Sequence, residues 1–547
     1  MDERQPRASS IGIWNGYVVG LDDELLGLTA RHHIDAGGAT MTPGFHDAHC
    51  HTTSFGLACG LLDLTSTRTV DGILEAVAKE ASERSRDDWV IGMGYGRGLA
   101  PGEHPPADEL DRVAGGRPVW LTHVSGHMCV INHAALALIE LKGGAQRETD
   151  RGRIHLDANG RPTGLLEEAA MELVKSHHGP SSVAQLARAI DHATRRYATE
   201  GITSFTDAGV GCPGIDHSPV EIAAYQRARQ SGRLRARAQL MIHSEVLHNL
   251  PGHRDDAIEL GLDLGIRSGI GDSWLEVGAV KVWVDGSGTA GTAATSSDGG
   301  AGIFDNDPAL LSQVITSACR SGWQVACHAM GDRALDLVLR AVEKAREGVP
   351  DALLPEPRRR HRIEHGGLIR TDQIELLSRL EMVVVPQPVF IAEFGDTLSD
   401  TLCGGSRTDE SFRVRSLLDA GVPVAGSSDR PVAPGSPLLG IQSMVERLTA
   451  SGNIYGPNER VSAEVALASY TQAGAYACHN DHRRGKLCRR LEADLVVLGD
   501  DPTRVEASKI GTIEVLATLV GGVATHDPTG MFGDEESALP PTAGRSR

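Results

Sequence analysis

Two histidines two residues apart give the clearest chemical signal in the sequence: His49 and His51, in PGFHDAHCH at 43–51. On a β-strand, alternate side chains point to the same side, so these two imidazoles can bind one divalent cation together. The chain has 23 histidines in 547 residues, and about one such pair is expected by chance in a random order of this composition. Asp47, just before the pair, could accept a hydrogen bond from a ligand imidazole or cap a turn.

A lysine inside an apolar run is the second signal: Lys281, in VGAVKVWVDG at 277–286. A buried lysine is costly unless it is paired or modified, and desolvation lowers the pKa of its amine. A neutral amine can take up CO₂ to form a carbamate, which bridges two metal ions as a carboxylate does. Alternatively, Lys281 extends its amine to solvent or forms an ion pair with Asp285.

Three more candidate ligands each close a strand-like run: His328 in WQVACHAMGD, His365 in HRIEHGG and Asp429 in VPVAGSSDRPV. Barrel enzymes place their active residues at such strand ends. The histidines could instead be hydrogen-bonded structural residues, and Asp429 could cap a helix. His361 and Glu364 stand beside His365 and could orient its ring.

Taken together, these strand-end groups form a nitrogen and oxygen ligand set without cysteine. The set suits Zn²⁺, and also Mn²⁺, Fe²⁺ or Co²⁺. Its members are His49, His51, Lys281, His328, His365 and Asp429.

The elements that must position these groups alternate between strand and helix from about 182 to 480. Short β-branched runs followed by amphipathic segments are typical of βα units around a parallel sheet, and a count near eight favours a closed (β/α)₈ barrel, an α/β fold. The sequence has neither GxGxxG before a helix nor GxxxxGK[ST], which disfavours nucleotide-binding α/β folds. Strand-like segments at 11–19, 493–502 and 514–525 predict a small β domain built from both ends of the chain.

Composition excludes several classes of protein. With 53 Lys and Arg against 72 Asp and Glu, the net charge of −19 argues against nucleic-acid binding. The sequence has no apolar run of the roughly 18 residues that a membrane span needs and no signal-peptide pattern at its start. The nine cysteines are scattered and form no CxxC, so we expect a cytoplasmic protein with reduced thiols.

With these motifs, the chain resembles the amidohydrolase superfamily of metal-dependent hydrolases. It is most similar to the group called amidohydrolase 3 or YtcJ-like, which includes N-substituted formamide deformylases. The resemblance rests on PGFHDAHCH (43–51), RPTGLLEEAA (161–170), GITSFTDAG (201–209), VKVWVDGSG (280–288), HAMGDRA (328–334), HRIEHGGLI (361–369), PQPVF (386–390), SSDRPV (427–432) and EADLVVLGDDP (492–502).

The resemblance implies a distorted (β/α)₈ barrel, a TIM barrel, over 46–484 with an insertion at about 55–185. A composite β-sandwich would take residues 1–45 and 485–527, and residues 528–547 would form a flexible tail. His49 and His51 would be ligands from the first strand, and Lys281 would be the carbamylated bridge. His328 and His365 would bind a second metal ion, and Asp429 would be both ligand and proton shuttle.

The resemblance also places the segment SGHMCVINHAAL beside the substrate pocket, where His127 and Asn132 contact substrate or only brace a turn. The implied activity is hydrolysis of a non-peptide C–N bond, in an amide, formamide or cyclic amide, by water activated on one or two Zn²⁺ ions. The alternatives are an esterase or lactonase with the same site, or an inactive barrel that only binds ligands. We expect a small-molecule substrate and no nucleic-acid or membrane partner, and a homodimer is compatible with this expectation.

Overall fold

The protein is described by a computed structural model in two compact units. One combines Met1–Phe55 with Ala193–Arg547, and the other is Gly56–His192. The structure describes residues 5–84, 88–96, 99–100, 103–123, 128–139, 148–149, 152–171, 173–174, 181–211, 218–251, 259–289, 291–296, 302–347 and 360–533.

Seven parallel strands form the central sheet of the first unit, and their spatial order is their order in the chain. Each is a short, buried run rich in β-branched or small residues, as strands covered on both faces require. The strands are β1 (Phe45–Cys50), β2 (Ile202–Val210), β3 (Arg237–His243), β4 (Leu275–Trp283), β5 (Val325–Ala329), β6 (Arg362–His365) and β7 (Val383–Val385).

An eighth segment, 422–428, joins the two edges of this sheet. The Val384 amide donates to the carbonyl of Pro423 at 3.0 Å, and the Ala425 amide donates to the carbonyl of Val384 at 3.0 Å. On the other edge, the Ala48 amide of β1 donates to the carbonyl of Gly426 at 3.2 Å. These bonds bring the carboxyl ends of all eight segments to one mouth, and the predicted barrel fold is confirmed.

Helices between the strands cover the outside of the barrel. The helix Pro308–Arg320 shows why they form where they do: the Asp307 side chain accepts from the Ala309 amide, a proline occupies the first turn, and Leu311 and Ile315 on one face are buried. The other helices of this unit are Glu221–Gln230, Asp332–Arg346, Thr371–Arg379, Val389–Thr401, Arg415–Asp419, Pro437–Glu446, Ala463–Ala468 and Gly474–Ala477. The helix Val183–Thr199 begins in the second unit and ends in the first, and the helix Thr52–Ala58 begins in the first unit and ends in the second.

Strands from both ends of the chain share a separate four-stranded antiparallel sheet in the first unit. Its order is Val523–His526, Val515–Val520, Leu495–Leu498 and Thr40–Pro43. A hairpin of Ile11–Trp14 and Tyr17–Leu21 packs nearby through Val18 and Leu21 against Ala493. The predicted tail at 528–547 lies outside the described residues from 534 onward.

The second unit has its own sheet of seven strands. In spatial order they are Leu62–Asp63, Val90–Tyr95, Val119–His123, Met128–Ile131, Pro162–Glu168, Gly152–Leu156 and Glu148–Thr149. The helices Val70–Glu83, Ala107–Ala114 and His133–Leu138 belong to this unit. Its core packs residues of the first two helices, such as Val77 and Leu110, against strand residues such as Val119. Among the described residues of the whole chain, no helix is long and apolar enough to cross a membrane.

A neutral histidine lies in the barrel interior below the predicted metal ligands. His46 of β1 is buried, and its Nε2 lies 3.2 Å from Thr206 Oγ1 and 3.5 Å from Cys478 Sγ. Burial lowers the pKa of His46 to about 3, and the positive charges of Arg484 and Arg362 act in the same direction. The folded protein therefore keeps this imidazole neutral.

This arrangement predicts a loss of stability in acid that depends on His46. Its folded pKa lies below the ordinary value of about 6.5, so the unfolded chain binds the extra proton. Its contribution is complete above pH 6.5 and declines as the pH falls toward 3. We therefore compare the free energy of unfolding of the unmodified chain with that of His46→Gln. The difference between the two should change by about 2 kcal/mol, to the disadvantage of the unmodified chain, when the pH falls from about 7.5 to about 5. Urea unfolding of both proteins at both pH values measures this, and an unchanged difference would contradict the assignment.

Candidate metal centre

Three predicted ligands meet at the carboxyl end of β1. Asp429 Oδ1 lies 3.0 Å from His51 Nε2 and 3.4 Å from His49 Nε2. All three side chains are buried, and one ligand atom from each lies within 4.8 Å of the others. Asp429 has a φ of 58°, in the left-handed region that a non-glycine residue rarely adopts. Such strained backbone is common at functional sites, and here it places the carboxylate against the histidine pair.

Two further imidazoles extend this group. The ring centroids of His49 and His365 lie 5.1 Å apart, and those of His365 and His328 lie 4.4 Å apart. His365 ends β6 with a φ of 71°, while His328 is on the neighbouring strand β5. The four predicted histidine ligands therefore form one continuous cluster across the barrel mouth.

Lys281 is fully buried on β4, and its amine does not reach solvent. Nζ lies 5.0 Å from the ring centroid of Trp283 and has no hydrogen-bond partner among the described residues. Burial lowers the pKa of Lys281 to about 8, although the carboxylates of Glu364 and Asp429 act to raise it. A neutral amine is therefore accessible near neutral pH.

The expected alternative, an ion pair between Lys281 and Asp285, does not describe this site. The Asp285 carboxylate accepts hydrogen bonds from the amides of Ala294, Met330 and Gly331 at 2.8–2.9 Å. These bonds hold the loop after β4 against the loop after β5. Asp285 thus positions backbone around His328, whose Nε2 lies 3.5 Å from Asp285 Oδ1.

Glu364 orients His49 rather than His365. Its Oε2 accepts from His49 Nδ1 at 2.5 Å, and its Oε1 accepts from Arg362 Nε at 2.8 Å. Arg362 also donates to the carbonyl of Ala48 at 2.6 Å, so one buried ion pair joins β6 to β1. The Glu364 carboxylate is thus engaged by His49 and Arg362, and a different residue orients His365.

The residue that orients His365 is Gln387, just after β7. Its Oε1 accepts from His365 Nδ1 at 2.6 Å, while its amide NH₂ donates to the carbonyl of Val385 and to Ser427 Oγ. His361, the other suggested partner, instead has its Nδ1 as acceptor for the Val325 amide at 3.2 Å. Gln387 stands in the PQPVF motif, but spacing alone does not reveal its partner.

Asp47 holds the turn that carries Asp429. Its carboxylate accepts from the Ser428 amide at 3.0 Å, from Ser428 Oγ at 2.5 Å and from the His49 amide at 3.3 Å. Burial raises the pKa of Asp47 to about 6, against the opposing charge of Arg430 and these hydrogen bonds. Asp47 thus fixes two ligand-bearing segments relative to each other through backbone contacts.

The hydrogen bonds at Nδ1 determine which ring nitrogen can bind a cation. His49 donates from Nδ1 to a carboxylate, and His51 donates from Nδ1 to the carbonyl of Ala208 at 2.9 Å. These acceptors carry no proton, so in the neutral rings Nε2 has the lone pair. Both Nε2 atoms face Asp429 Oδ1, which is also a lone-pair atom. Lone-pair atoms that face each other repel. A cation placed between them would be coordinated by all three atoms instead.

Protonation states also favour metal binding. Burial raises the pKa of Asp429, but when His49 or His51 is protonated at Nε2 and donates to this carboxylate, that interaction outweighs burial and holds the pKa well below its usual value. Burial and the neighbouring charge of Lys281 lower the pKa of His328 to about 3. Burial and the neighbouring His328 place the pKa of His365 well below its usual value. The carboxylate is therefore ionised and these imidazoles are neutral near pH 7.

Two buried polar atoms support this interpretation. Among the described residues, neither His49 Nε2 nor Lys281 Nζ has a hydrogen-bond partner. Most buried polar side-chain atoms in folded proteins are hydrogen-bonded, so such atoms require an explanation. Both belong to the predicted ligand set, and their donor types fit a divalent transition-metal ion.

The two predicted substrate contacts lie in the second unit. His127 is outside the described residues. Asn132 is fully buried, and its Oδ1 accepts from the amides of Val119 and Ala135 while its Nδ2 donates to the carbonyl of Arg117. These bonds favour the bracing role that the sequence left open, and a role in substrate binding stays a prediction.

Comparison with known proteins identifies relatives over nearly the full chain. The sequence model of a family described as the amidohydrolase family matches residues 32–526. The protein LONG AFTER FAR-RED 3 of Arabidopsis thaliana is 30% identical, with 95% of this chain and 89% of that protein covered. An N-substituted formamide deformylase of Arthrobacter pascens is 28% identical, with 97% of each covered.

Solved structures show the same fold. A metal-dependent hydrolase from Pyrococcus furiosus has a TM-score of 0.71 and 26% identity, with 91% of this chain and 96% of that chain covered. A metal-dependent hydrolase from Pyrococcus horikoshii OT3 has a TM-score of 0.73 and 23% identity, with 92% and 95% covered. The barrel and its additional sheets therefore recur in chains of similar length.

The contact between Glu364 and His49 predicts a specific effect on metal affinity. Glu364→Gln keeps an acceptor for His49 Nδ1 but removes the charge that makes this imidazole a stronger ligand, so zinc affinity should fall about 10–100-fold. Competition with a chromophoric chelator measures this. Glu343→Gln, which removes a carboxylate paired with Arg379 on the exposed surface, is the matched control. Equal affinities in the two variants would show that Glu364 does not tune the site.

Proposed function

The chain belongs to the amidohydrolase family, and on that premise we propose that it is a metal-dependent hydrolase of small molecules. We propose that the bond it cleaves is a C–N bond other than a peptide bond, in an amide, formamide or cyclic amide. The observation that carries the proposal is the cluster of His49, His51 and Asp429, together with two buried atoms, His49 Nε2 and Lys281 Nζ, that have no hydrogen-bond partner among the described residues.

The ligands of the proposed centre divide into two groups. His49, His51 and Asp429 would hold one metal ion, and His328 with His365 would hold a second. Zn²⁺ is the proposed metal, and Mn²⁺, Fe²⁺ and Co²⁺ suit the same donors. When bound, such an ion supplies an activated water and polarises the scissile carbonyl.

Lys281 would link the two groups as a carbamate. Its neutral amine attacks CO₂, a C–N bond forms, and one proton is released to solvent, which leaves an anionic carboxylate on Nζ. Burial favours this reaction because it lowers the pKa of the amine to about 8 and so increases the neutral fraction. Without the modification, a cationic Lys281 would repel the second metal ion.

Asp429 would move the proton. Its carboxylate is ionised and lies beside both histidines of the first group, so it can accept a proton from the attacking water. It can then deliver this proton to the departing nitrogen, which leaves as an amine. A nitrogen leaving group needs protonation because without the proton it would leave as the anion of an amine, which is a very poor leaving group.

Support for a C–N bond comes from the relatives. One relative is named an N-substituted formamide deformylase, and that chain is matched over 97% of its length. The family name also refers to amide hydrolysis. Pocket shape rather than the metal ligands selects the substrate.

Metal analysis combined with a substrate panel tests the proposal. The purified chain should contain one or two zinc ions and hydrolyse N-formyl amines or N-acyl amino acids, and a chelator should abolish both reversibly. His49→Asn with His51→Asn should remove the metal, whereas the exposed pair His32→Asn with His33→Asn should not. A chain without stoichiometric metal, or one that cleaves aryl esters but no amide, would contradict the proposal.

Asp429→Asn separates amide from ester hydrolysis. Loss of a general acid and base costs about 10²–10⁴-fold in rate, and an alkoxide or phenoxide leaves with less help than an amine. Turnover of an anilide should therefore fall far more than turnover of the matching aryl ester. Rates are expressed per bound metal ion, since Asp429 is also a proposed ligand. Equal losses on both substrates would exclude the proton-transfer role.

A further inference from the structure

A buried arginine stands directly beside one of the proposed metal ligands. Arg430 follows Asp429 in the chain, and it is 1% exposed. A guanidinium keeps its positive charge in proteins, and a charge is costly to bury unless it has partners. Arg430 does not belong to the proposed ligand set, so its burial next to Asp429 needs an explanation of its own.

Three side chains contact the guanidinium of Arg430. Its Nη2 donates to Oε2 of Glu200, the residue after the helix Val183–Thr199. Its Cζ lies 4.7 Å from the ring centroid of Tyr197 and 4.9 Å from that of Phe55, and these two rings are nearly parallel. An ion pair with a carboxylate and contact with aromatic faces both stabilise a buried cation. We call Phe55, Tyr197 and Glu200 the arginine clamp.

Two further contacts fix the place of this guanidinium. A Cβ at Gly435 would lie 1.6 Å from Arg430 Nη2, far closer than non-bonded atoms approach, so glycine leaves the space that the guanidinium fills. Glu200 is itself held by a second cation, because its Oε1 accepts from Arg196 Nε at 2.8 Å. The arginine clamp and Gly435 together therefore define where the guanidinium lies.

The backbone of Arg430 connects the arginine clamp to the proposed metal centre. Its carbonyl accepts from the His51 amide at 2.8 Å, and the amide of Asp429 donates to the carbonyl of His49 at 2.8 Å. The chain turns through Asp429 with a φ of 58°, a conformation that persists only where the surroundings hold it. This turn brings Asp429 Oδ1 to 3.0 Å from His51 Nε2.

We propose that Arg430 is a positioning residue, which holds the Asp429 carboxylate in the orientation that metal binding requires. This inference rests on the proposed hydrolase function and extends it to a side chain outside the ligand set. The hydrogen bonds to β1 anchor the turn of Asp429 on one side. The guanidinium in the arginine clamp anchors it on the other side.

The zinc affinity of Arg430→Met tests this role. Methionine keeps apolar contact with the two rings of the arginine clamp but has no charge for Glu200, so one anchor of the turn is lost. Competition with a chromophoric chelator should show an affinity about 10–100-fold below that of the unmodified chain, as for other residues that orient metal ligands. Arg379→Met breaks a surface ion pair with Glu343 and is the matched control, which should bind zinc like the unmodified chain.

A double-mutant cycle with Asp429→Ala separates positioning from general support of the fold. The alanine variant keeps His49 and His51 as proposed ligands, so its weaker zinc binding can still be measured with a weaker chelator. If Arg430 acts through the Asp429 carboxylate, Arg430→Met should change zinc affinity less than about threefold in this background. An equal loss in both backgrounds would show that Arg430 only supports the fold, and it would overturn the proposal.

Glu200→Gln reaches the same turn from the other partner and replaces Arg430→Met should that variant not fold. It keeps an acceptor for the guanidinium but removes the charge, so zinc affinity should fall by a smaller factor, and Asp429→Ala should abolish this loss as well. Zinc affinity unchanged in both Arg430→Met and Glu200→Gln would overturn the role of Arg430 alone. An unmodified chain that binds no zinc would overturn the hydrolase function and the role of Arg430 with it.

Discussion

The buried ion pair between Arg362 and Glu364 organises the barrel mouth. Removing two charges from water costs several kcal/mol per ion, so the pair persists only because its remaining hydrogen bonds are satisfied inside the barrel. Those bonds reach His49 Nδ1 and the carbonyl of Ala48, both on the first strand. A charge on the sixth strand therefore fixes the tautomer and orientation of a ligand on the first. His49 is therefore oriented in this way only when the barrel is closed and the sixth strand lies near the first.

Closure of the parallel sheet explains how residues far apart in sequence share one centre. Each strand delivers its last residues to the same end, and hydrogen bonds through 422–428 bring the first and seventh strands together. Polar contacts then orient each side chain: Gln387 holds His365, and Asp47 holds the turn of Asp429. In the resulting cluster His328 and His365 are neutral, Asp429 is ionised and the amine of Lys281 is buried, which suits the binding of a divalent cation.

Much of this arrangement can be predicted from the sequence, because strand ends are visible as apolar runs that stop at a polar residue. His328 and Asp429 follow this pattern, whereas Lys281 stands out as a lysine within an apolar run, and the role of these residues as ligands stays a prediction. The partners of the ligands cannot be predicted in this way. Adjacency in sequence suggests His365 as the partner of Glu364, whereas the residue that Glu364 contacts, His49, is on a strand more than 300 residues earlier in the chain.

Diffraction from crystals grown with zinc, with anomalous data collected above and below the zinc absorption edge, tests the central claim most directly. The account predicts an anomalous peak about 2.0–2.1 Å from the Nε2 atoms of His49 and His51. It also predicts a second peak near His328 and His365, with carboxylate density on Lys281 Nζ between the two peaks. Absence of any peak near these histidines, or a Lys281 amine paired with a carboxylate instead, would contradict the account.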